Sequence, residues 1–355
     1  MGSGRGEFNR LFLVGAAAFA VALPGPARPL AEDDAPAPRT ISRAENTLLV
    51  NLKGHLFLFS LEERRLIDLN CTGYNASFSP DGTAIAFHAD RDRDYKEEIY
   101  VMHADGSAQT RLTNNDRWNW VPAWSPDGRK LAYVSGRYDP HRDVLVGHVY
   151  VMNADGTAPV RLTDDVDDYW LPAWSPDGDR IAVMRDPNGD EKICILYVGD
   201  PGRAPDEIAC GVNPRWSPDG RELAAEFWGR IVIVAAGSSG LTGRTDVGPG
   251  FNPAWSPDGR KLAVASGGRV VIVDAANSAL APRTDLGRGC HPTWSPDGTK
   301  VIYFDTGAGK GECCIANADG TGATRFACLS PLGYSFSPLR IHGVLYDTYG
   351  HVIKE

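Results

Sequence analysis

Short apolar runs, punctuated by one recurring polar turn, make up most of this chain. The tetrapeptide Ser-Pro-Asp-Gly starts at 79, 125, 175, 217, 256 and 295. Each copy is followed by an apolar run: TAIAFH, KLAYVS, RIAVMR, ELAAEF, KLAVAS and KVIYFD. A second run comes next (EIYVMH, HVYVMN, KICILYV, RIVIV, RVVIVD, ECCIAN), then a more polar third (TRLT, VRLT, EIAC, GRTDV, PRTDL, TRFAC). The runs are rich in β-branched and aromatic residues and bounded by Gly, Pro, Asp or Asn, which predicts strands. No window sustains a helical period.

Each repeat therefore reads as four strands, an A strand ending in Trp-Ser and then B, C and D. Apolar residues stand at consecutive positions, as in a sheet buried on both faces. The spacings of 46, 50, 42, 39 and 39 residues fit a propeller. In Ser-Pro-Asp-Gly, Pro presets φ, Asp bonds a nearby backbone N–H, and Gly accepts the positive φ that closes the A–B hairpin. A second turn, NADG or HADG at 103–106, 153–156 and 317–320, closes C to D. Five of the nine tryptophans precede the first turn, where a large ring suits the seam between blades. Both motifs read as scaffold.

Before the first copy, NTLLVNL, HLFLFSL and RRLIDLN read as B, C and D strands; after the last blade, YSFSPLR and GVLYDTYGHVI read as an A and a B-like strand. The fold expected is an all-β propeller of seven four-stranded blades over 45–355, the last shared between the termini, with six blades as the alternative. Seven blades give about 44 residues each, inside the observed spacings.

Composition adds compartment and partner. With 43% hydrophobic and 23% charged residues the chain is ordinary globular material, and its net charge of -9 offers no basic face for nucleic acid. Arg5 and Arg10 precede the apolar run Leu11 to Leu23, which is short for a membrane span. Residues 1–31 read as a signal peptide, with cleavage after Ala27 or Ala31, and 32–44 as a linker. An uncleaved anchor is the alternative. A periplasmic or secreted location follows, with no stable membrane span after cleavage. Export makes disulfides an option among the seven cysteines, either Cys194 with Cys210 or Cys313 or Cys314 with Cys328. Buried free thiols are the other reading, and the odd number leaves at least one cysteine over.

PAWSPDGRKLAYVS followed by VYVMNADGTAPVRLT resembles the propeller repeat of the TolB family, and the likeness extends over nearly all of 76–338. It is not the WD40 repeat proper, since no Trp-Asp dipeptide occurs. Propellers of prolyl-oligopeptidase-type enzymes and of oligogalacturonate lyases share the style. The resemblance implies an exported binding scaffold in the periplasm. TolB pairs its propeller with an N-terminal α/β domain and contacts the peptidoglycan-associated lipoprotein; only the short linker precedes the first strand pattern here. No G-x-S-x-G is present, GSSGL at 237–241 missing the last Gly.

Strand order puts the A–B and C–D turns on one face and the D–A and B–C loops on the other. The second face is irregular, and variable loops on a rigid scaffold carry function. B–C segments are long in repeats 1–3 and short in repeats 4 and 5 (WGR, SGGR). The D–A segments NNDRWNW at 114–120 and DDVDDYW at 164–170 share that face. Arg117, Trp118, Trp120, Asp168, Tyr169 and Trp170 are therefore the candidate partner-binding residues, for a protein or a cell-envelope glycan. Trp118 and Tyr169 read as the surface pair, and Trp120 and Trp170 as caps on the inter-blade core. Asn213, Asn252 and His291, each before the A-strand proline, and Asn75 at the matching place in the first repeat, ring the channel mouth as ligand candidates or as backbone-bonding residues. Asp164, Asp165, Asp167 and Asp168 offer hard oxygens for Ca²⁺, against the simpler reading of a solvated acidic loop. No cofactor and no catalytic motif are expected, so the reading is a non-catalytic scaffold. The alternative is a metal-assisted polysaccharide lyase or hydrolase at the channel mouth. Nothing in the sequence bears on the oligomeric state.

Overall fold

The computed structural model describes residues 47–52, 54–60, 65–92, 96–139, 144–163, 167–186, 190–237, 244–276, 283–305, 312–327, 339–341 and 344–346. All the regular structure among them is strand. An N-terminal sheet holds β1 (Thr47–Leu52), β2 (His55–Ser60) and β3 (Arg65–Thr72). Blade 1 follows with β4 (Tyr74–Phe78), β5 (Ala84–Ala89), β6 (Glu98–His103) and β7 (Thr110–Arg111). Blade 2 is β8 (Trp118–Trp124), β9 (Lys130–Asp139), β10 (Val144–Asn153) and β11 (Val160–Arg161). Blade 3 is β12 (Asp168–Trp174), β13 (Arg180–Asp186), β14 (Lys192–Tyr197) and β15 (Asp206–Cys210). Blade 4 is β16 (Val212–Trp216), β17 (Glu222–Phe227), β18 (Arg230–Ala235) and β19 (Thr245–Pro249). Blade 5 is β20 (Phe251–Trp255), β21 (Lys261–Ser266), β22 (Arg269–Asp274) and β23 (Thr284–Arg288). Blade 6 is β24 (Cys290–Trp294), β25 (Lys300–Asp305), β26 (Glu312–Asn317) and β27 (Thr324–Ala327).

Every blade is an antiparallel meander in chain order, as expected of a propeller. The A strands β4, β8, β12, β16, β20 and β24 pack successively against one another and form the inner wall. The seventh blade is seen as the three strands β1–β3. The segment expected to supply its A strand falls mostly outside the described residues, and β28 (Leu339–Ile341) pairs with β29 (Val344–Tyr346). Residues 1–46, which hold the expected signal peptide and linker, also lie outside them.

The core is a series of seams rather than one centre. Successive hydrophobic clusters join the N-terminal sheet to blade 1, blade 1 to 2, 2 to 3, 3 to 4, 4 to 5, and 5 to 6. Strand alternation supplies both sides: Leu223 and Ala225 of β17 enter the seam with blade 3, while Ala224 between them enters the seam with blade 5. This accounts for the consecutive apolar residues in the B and C strands.

The seam tryptophans do more than fill space. The indole of Trp124 donates to Ser77 O (3.2 Å), Trp174 to Ala123 O (3.0 Å) and Trp216 to Ala173 O (2.9 Å). Trp255 donates to Arg215 O and Trp294 to Ala254 O, both at 3.0 Å. Blades 2 to 6 are each thus pinned to the A strand before them. The turns behave as their residues dictate. In the second copy Ser125 Oγ donates to Asp127 Oδ1 (2.6 Å), and Gly128, at φ 69°, donates its N–H to Ser125 O (2.9 Å). A Cβ there would stand 3.5 Å from Pro80 Cδ, so consecutive turns touch around the ring.

Candidate functional site

A shared irregularity shapes the channel mouth on the loop face. In all six blades the A–B register slips by a β-bulge around the A-strand proline, whose place Ala76 takes in blade 1. The bulged residue takes a left-handed backbone: Asn75, Val121, Leu171, Asn213, Asn252 and His291 have φ between 47° and 55°. Asn tolerates that region better than other side chains. This backbone need is the first reason for the asparagines that the sequence singles out. The residues just before them, Tyr74, Trp120, Trp170, Val212, Phe251 and Cys290, pair with the far ends of the B strands. Four of those six are aromatic, so the mouth carries an aromatic collar.

The collar is densest over blades 2 and 3. Trp118 stacks on Trp120 with centroids 6.5 Å apart and planes 8° apart, and Trp120 meets Trp170 at 5.4 Å. Segments 114–120 and 164–170 therefore share one side of the disc, as expected. They are not wholly loops: β8 begins at Trp118 and β12 at Asp168. Trp118 and Trp170 are half-buried and Trp120 is buried. Buried Glu98 fixes this segment, accepting from Asn119 Nδ2 (2.9 Å) and from Arg111 Nη2 (2.5 Å), while Asn119 N donates to Glu97 O (2.8 Å). Arg117 stands half-buried just before the row.

Tyr169 corrects the sequence reading. It is fully buried and packs in the seam between blades 2 and 3, because the strand alternation that turns Trp170 to the mouth turns Tyr169 into the seam. Asp168 is buried too, its Oδ1 accepting from Gly147 N (2.6 Å). Asp167 Oδ2 accepts from Arg185 Nε (2.8 Å). The calcium candidates Asp167 and Asp168 thus already have partners, and Asp164 and Asp165 lie outside the described residues. Among the described residues no group of three or more His, Cys, Asp or Glu side chains is placed to hold a metal.

Two polar clamps lie under the collar, at one B-strand position. In blade 1 it is His88, whose Nδ1 accepts from Val121 N of blade 2 (3.2 Å). With Nδ1 accepting, the proton sits on Nε2, which is buried without a hydrogen-bond partner and 3.8 Å from Glu97 Oε2. Burial pushes His88 down to about 3 and Glu97 up to about 7, a bond from the Trp120 indole opposing the latter. In blade 4 the position is Glu226, whose Oε1 accepts from Asn213 Nδ2 (2.7 Å) and from Asn252 N of blade 5 (2.8 Å). Burial is the largest influence on Glu226 and raises its pKa. Val134, Met184, Ala265 and Phe304 hold the position elsewhere and cannot clamp. Asn213 therefore bonds a carboxylate rather than loop backbone. His291 Nδ1 lies 3.1 Å from Cys290 Sγ, and its Nε2 is buried without a hydrogen-bond partner.

Three residues on this side of the ring were not singled out above: Phe251, Trp228 and Arg215. Phe251 is 51% exposed and Trp228, in the B–C turn of blade 4, is 78% exposed. The available signal was their departure from pattern: Trp where such turns favour Asn or Gly, and PRW at 214–216 where other repeats read PAW or PTW.

The cysteine pairing is settled in part. Cys194 and Cys210 are free, which corrects their expected bridge. A bulge in β14–β15 puts Cys194 opposite Glu207 and Cys210 opposite Lys192, so the two never face one another. Cys314 is free as well. Cys313 is disulfide-bonded; its partner lies outside the described residues, as Cys328 does. A cleft of about 570 Å³ lies between the N-terminal sheet and blade 1, with His55, Asp68 and Arg91 in its wall. Arg91 there is already bound to Gln109 Oε1 (2.6 Å) and packed over Tyr100, which marks a seam rather than a site.

Residues 50–203 match the PD40 family model, the TolB beta propeller domain. The crystal structure of TolB from Acinetobacter baumannii is similar at a TM-score of 0.50 and 17% identity, over 81% of this chain and 78% of that one. Hydrazine synthase of Kuenenia stuttgartiensis is similar at 0.53 and 15% identity, over 80% of this chain and 92% of that one. At such identities the likeness speaks for the fold alone. Among curated proteins, the uncharacterized protein Atu1656 of Agrobacterium fabrum is 37% identical over 73 residues, 21% of this chain and 24% of that protein. The match thus spans about a quarter of that relative's length.

Proposed function

We propose, from the premise that residues 50–203 form a TolB beta-propeller domain, that this chain is an exported, non-catalytic binding scaffold. Its partner, a protein or a cell-envelope glycan, docks on the loop face over blades 1–3. One observation carries the reading: the Trp118–Trp120–Trp170 row, which crosses a blade boundary with Trp118 and Trp170 only partly buried. A rigid indole row presents a wide apolar face at little cost in side-chain entropy, and Arg117 beside it adds donors. The buried Glu98–Asn119 bond holds the row in place before any partner arrives, which lowers the ordering cost of binding.

Titration of the full chain with solubilised envelope glycan and, separately, with envelope proteins, followed by tryptophan fluorescence, tests this. Trp118→Ala should weaken binding of the active fraction by about ten-fold or more, as hot-spot aromatics do, with melting unchanged. Full binding by Trp118→Ala, or no fluorescence response to either fraction, overturns the assignment.

A further inference from the structure

The second half of the mouth, over blades 4–6, holds a different chemistry. The residue just before each seam aromatic is Ser77, Ala123, Ala173, Arg215, Ala254 or Thr293. The backbone carbonyls of Ser77, Ala123, Ala173, Arg215 and Ala254 accept the seam indoles, so at this level of the inner wall the blades are locked together. Five of the six side chains are small. Arg215 alone is long and charged, and it stands exposed on an innermost strand. Its guanidinium is nevertheless held below its ordinary value by burial, with Glu226 opposing.

Among the described residues Arg215 makes no side-chain hydrogen bond or ion pair. Glu226 acts on it through its field, having committed Oε1 to Asn213 and Asn252. The charge of Arg215 is also felt by His291, whose Nε2 is buried without a hydrogen-bond partner. The throat therefore combines an unmatched guanidinium fork with an unmatched imidazole nitrogen. At the loop-face ends of the same two blades are Phe251, the first residue of β20, and Trp228, in the β17–β18 turn. Trp228 occupies the first of two turn positions at φ 50°, with Gly229 at φ 73° and only 3.7 Å from Phe251 if given a Cβ. A left-handed tryptophan costs about 1–2 kcal/mol of backbone strain, and Trp228 meets the edge of Phe227 at 6.3 Å while staying 78% exposed. Those φ values are the ones the two-residue hairpin turn between β17 and β18 requires, and the turn holds the indole out at the mouth.

We propose that Arg215 binds the carboxylate of an acidic sugar in the channel throat, the sugar ring lying against Phe251 and Trp228 and its hydroxyls meeting Asn252. A guanidinium and a carboxylate match as a bidentate pair, and a desolvated channel strengthens that pair. Calorimetric titration of the full chain with D-glucuronate, D-glucose and acetate tests the site. Glucuronate should bind about ten-fold or more tightly than glucose, and Arg215→Gln should erase that preference. Phe251→Ala should weaken glucuronate and leave acetate unchanged. Being exposed, it keeps the test alive even if Arg215→Gln fails to fold. Equal binding of glucuronate and glucose by the native chain, or unaltered glucuronate binding in Arg215→Gln, overturns the proposal. Trp118→Ala should leave glucuronate binding intact, so this site and the docking row over blades 1–3 stand or fall separately.

Discussion

Replacing Trp174 with Phe removes one pin between blades 2 and 3 and leaves the rest of the ring untouched. The aromatic packing survives in kind, since Phe78 holds the equivalent position in the first repeat. The bond from Trp174 Nε1 to Ala123 O at 3.0 Å is lost. Leaving that carbonyl without its donor costs about 1–2 kcal/mol at a half-buried site, and the smaller ring gives up about 1 kcal/mol of burial. The total of about 2–3 kcal/mol falls on one seam, because neighbouring blades in a repeat array contribute separate interface terms. Cys194 reports on that seam: it is fully buried in the cluster between blades 2 and 3, and burial pushes its thiol up to about 12. A protonated, enclosed thiol reacts only when the seam opens. Thiol labelling under native conditions, resolved by peptide mass spectrometry, should accelerate at Cys194 by about 30- to 150-fold. Cys314, buried in the seam between blades 5 and 6, serves as the internal control and should keep its rate. Equal acceleration at both thiols would mean that the disc opens as one unit. A change under about three-fold at Cys194 would mean that the indole bond contributes nothing.

Two further outcomes test the mouth. Val121 carries a β-branched side chain at φ 50°, where three other blades place Asn, so Val121→Asn should raise stability in urea by about 1 kcal/mol; a loss of stability would show that Val121 packing outweighs the strain. Glu97 binds its proton more tightly when folded, about 7 against the ordinary 4.5, so the folded chain holds the extra proton between those values and stability from this group falls as pH rises through them. Glu97→Gln removes that penalty, and its stability relative to the native chain should climb by up to about 3 kcal/mol from pH 4.5 to pH 8. His88, depressed to about 3, has the opposite slope, between 3 and 6.5. A difference independent of pH would refute the assignment of Glu97 as a desolvated acid.

Turn chemistry and strand pattern by themselves determined the blades. Ser-Pro-Asp-Gly closes its hairpin with atoms of its own four residues and the strand that follows, so its role is local and repeats wherever the tetrapeptide does. The doubled apolar runs fixed burial on both faces for the same reason. The sites depended on distance in space. Tyr169 and Trp170 are neighbours in sequence and look alike in a loop reading, yet the start of β12 at Asp168 sends one into the seam and the other to the mouth. Cys194 and Cys210 stand at bridging separation along the chain, and a single bulge in β14–β15 turns them away from each other. Arg215 was visible only as a broken repeat. Its meaning comes from the inner wall, where five blades leave room by using small residues and a guanidinium meets the field of Glu226 without pairing to it. Local backbone geometry is written in adjacent residues, whereas desolvation and charge depend on which strands the closed ring brings face to face.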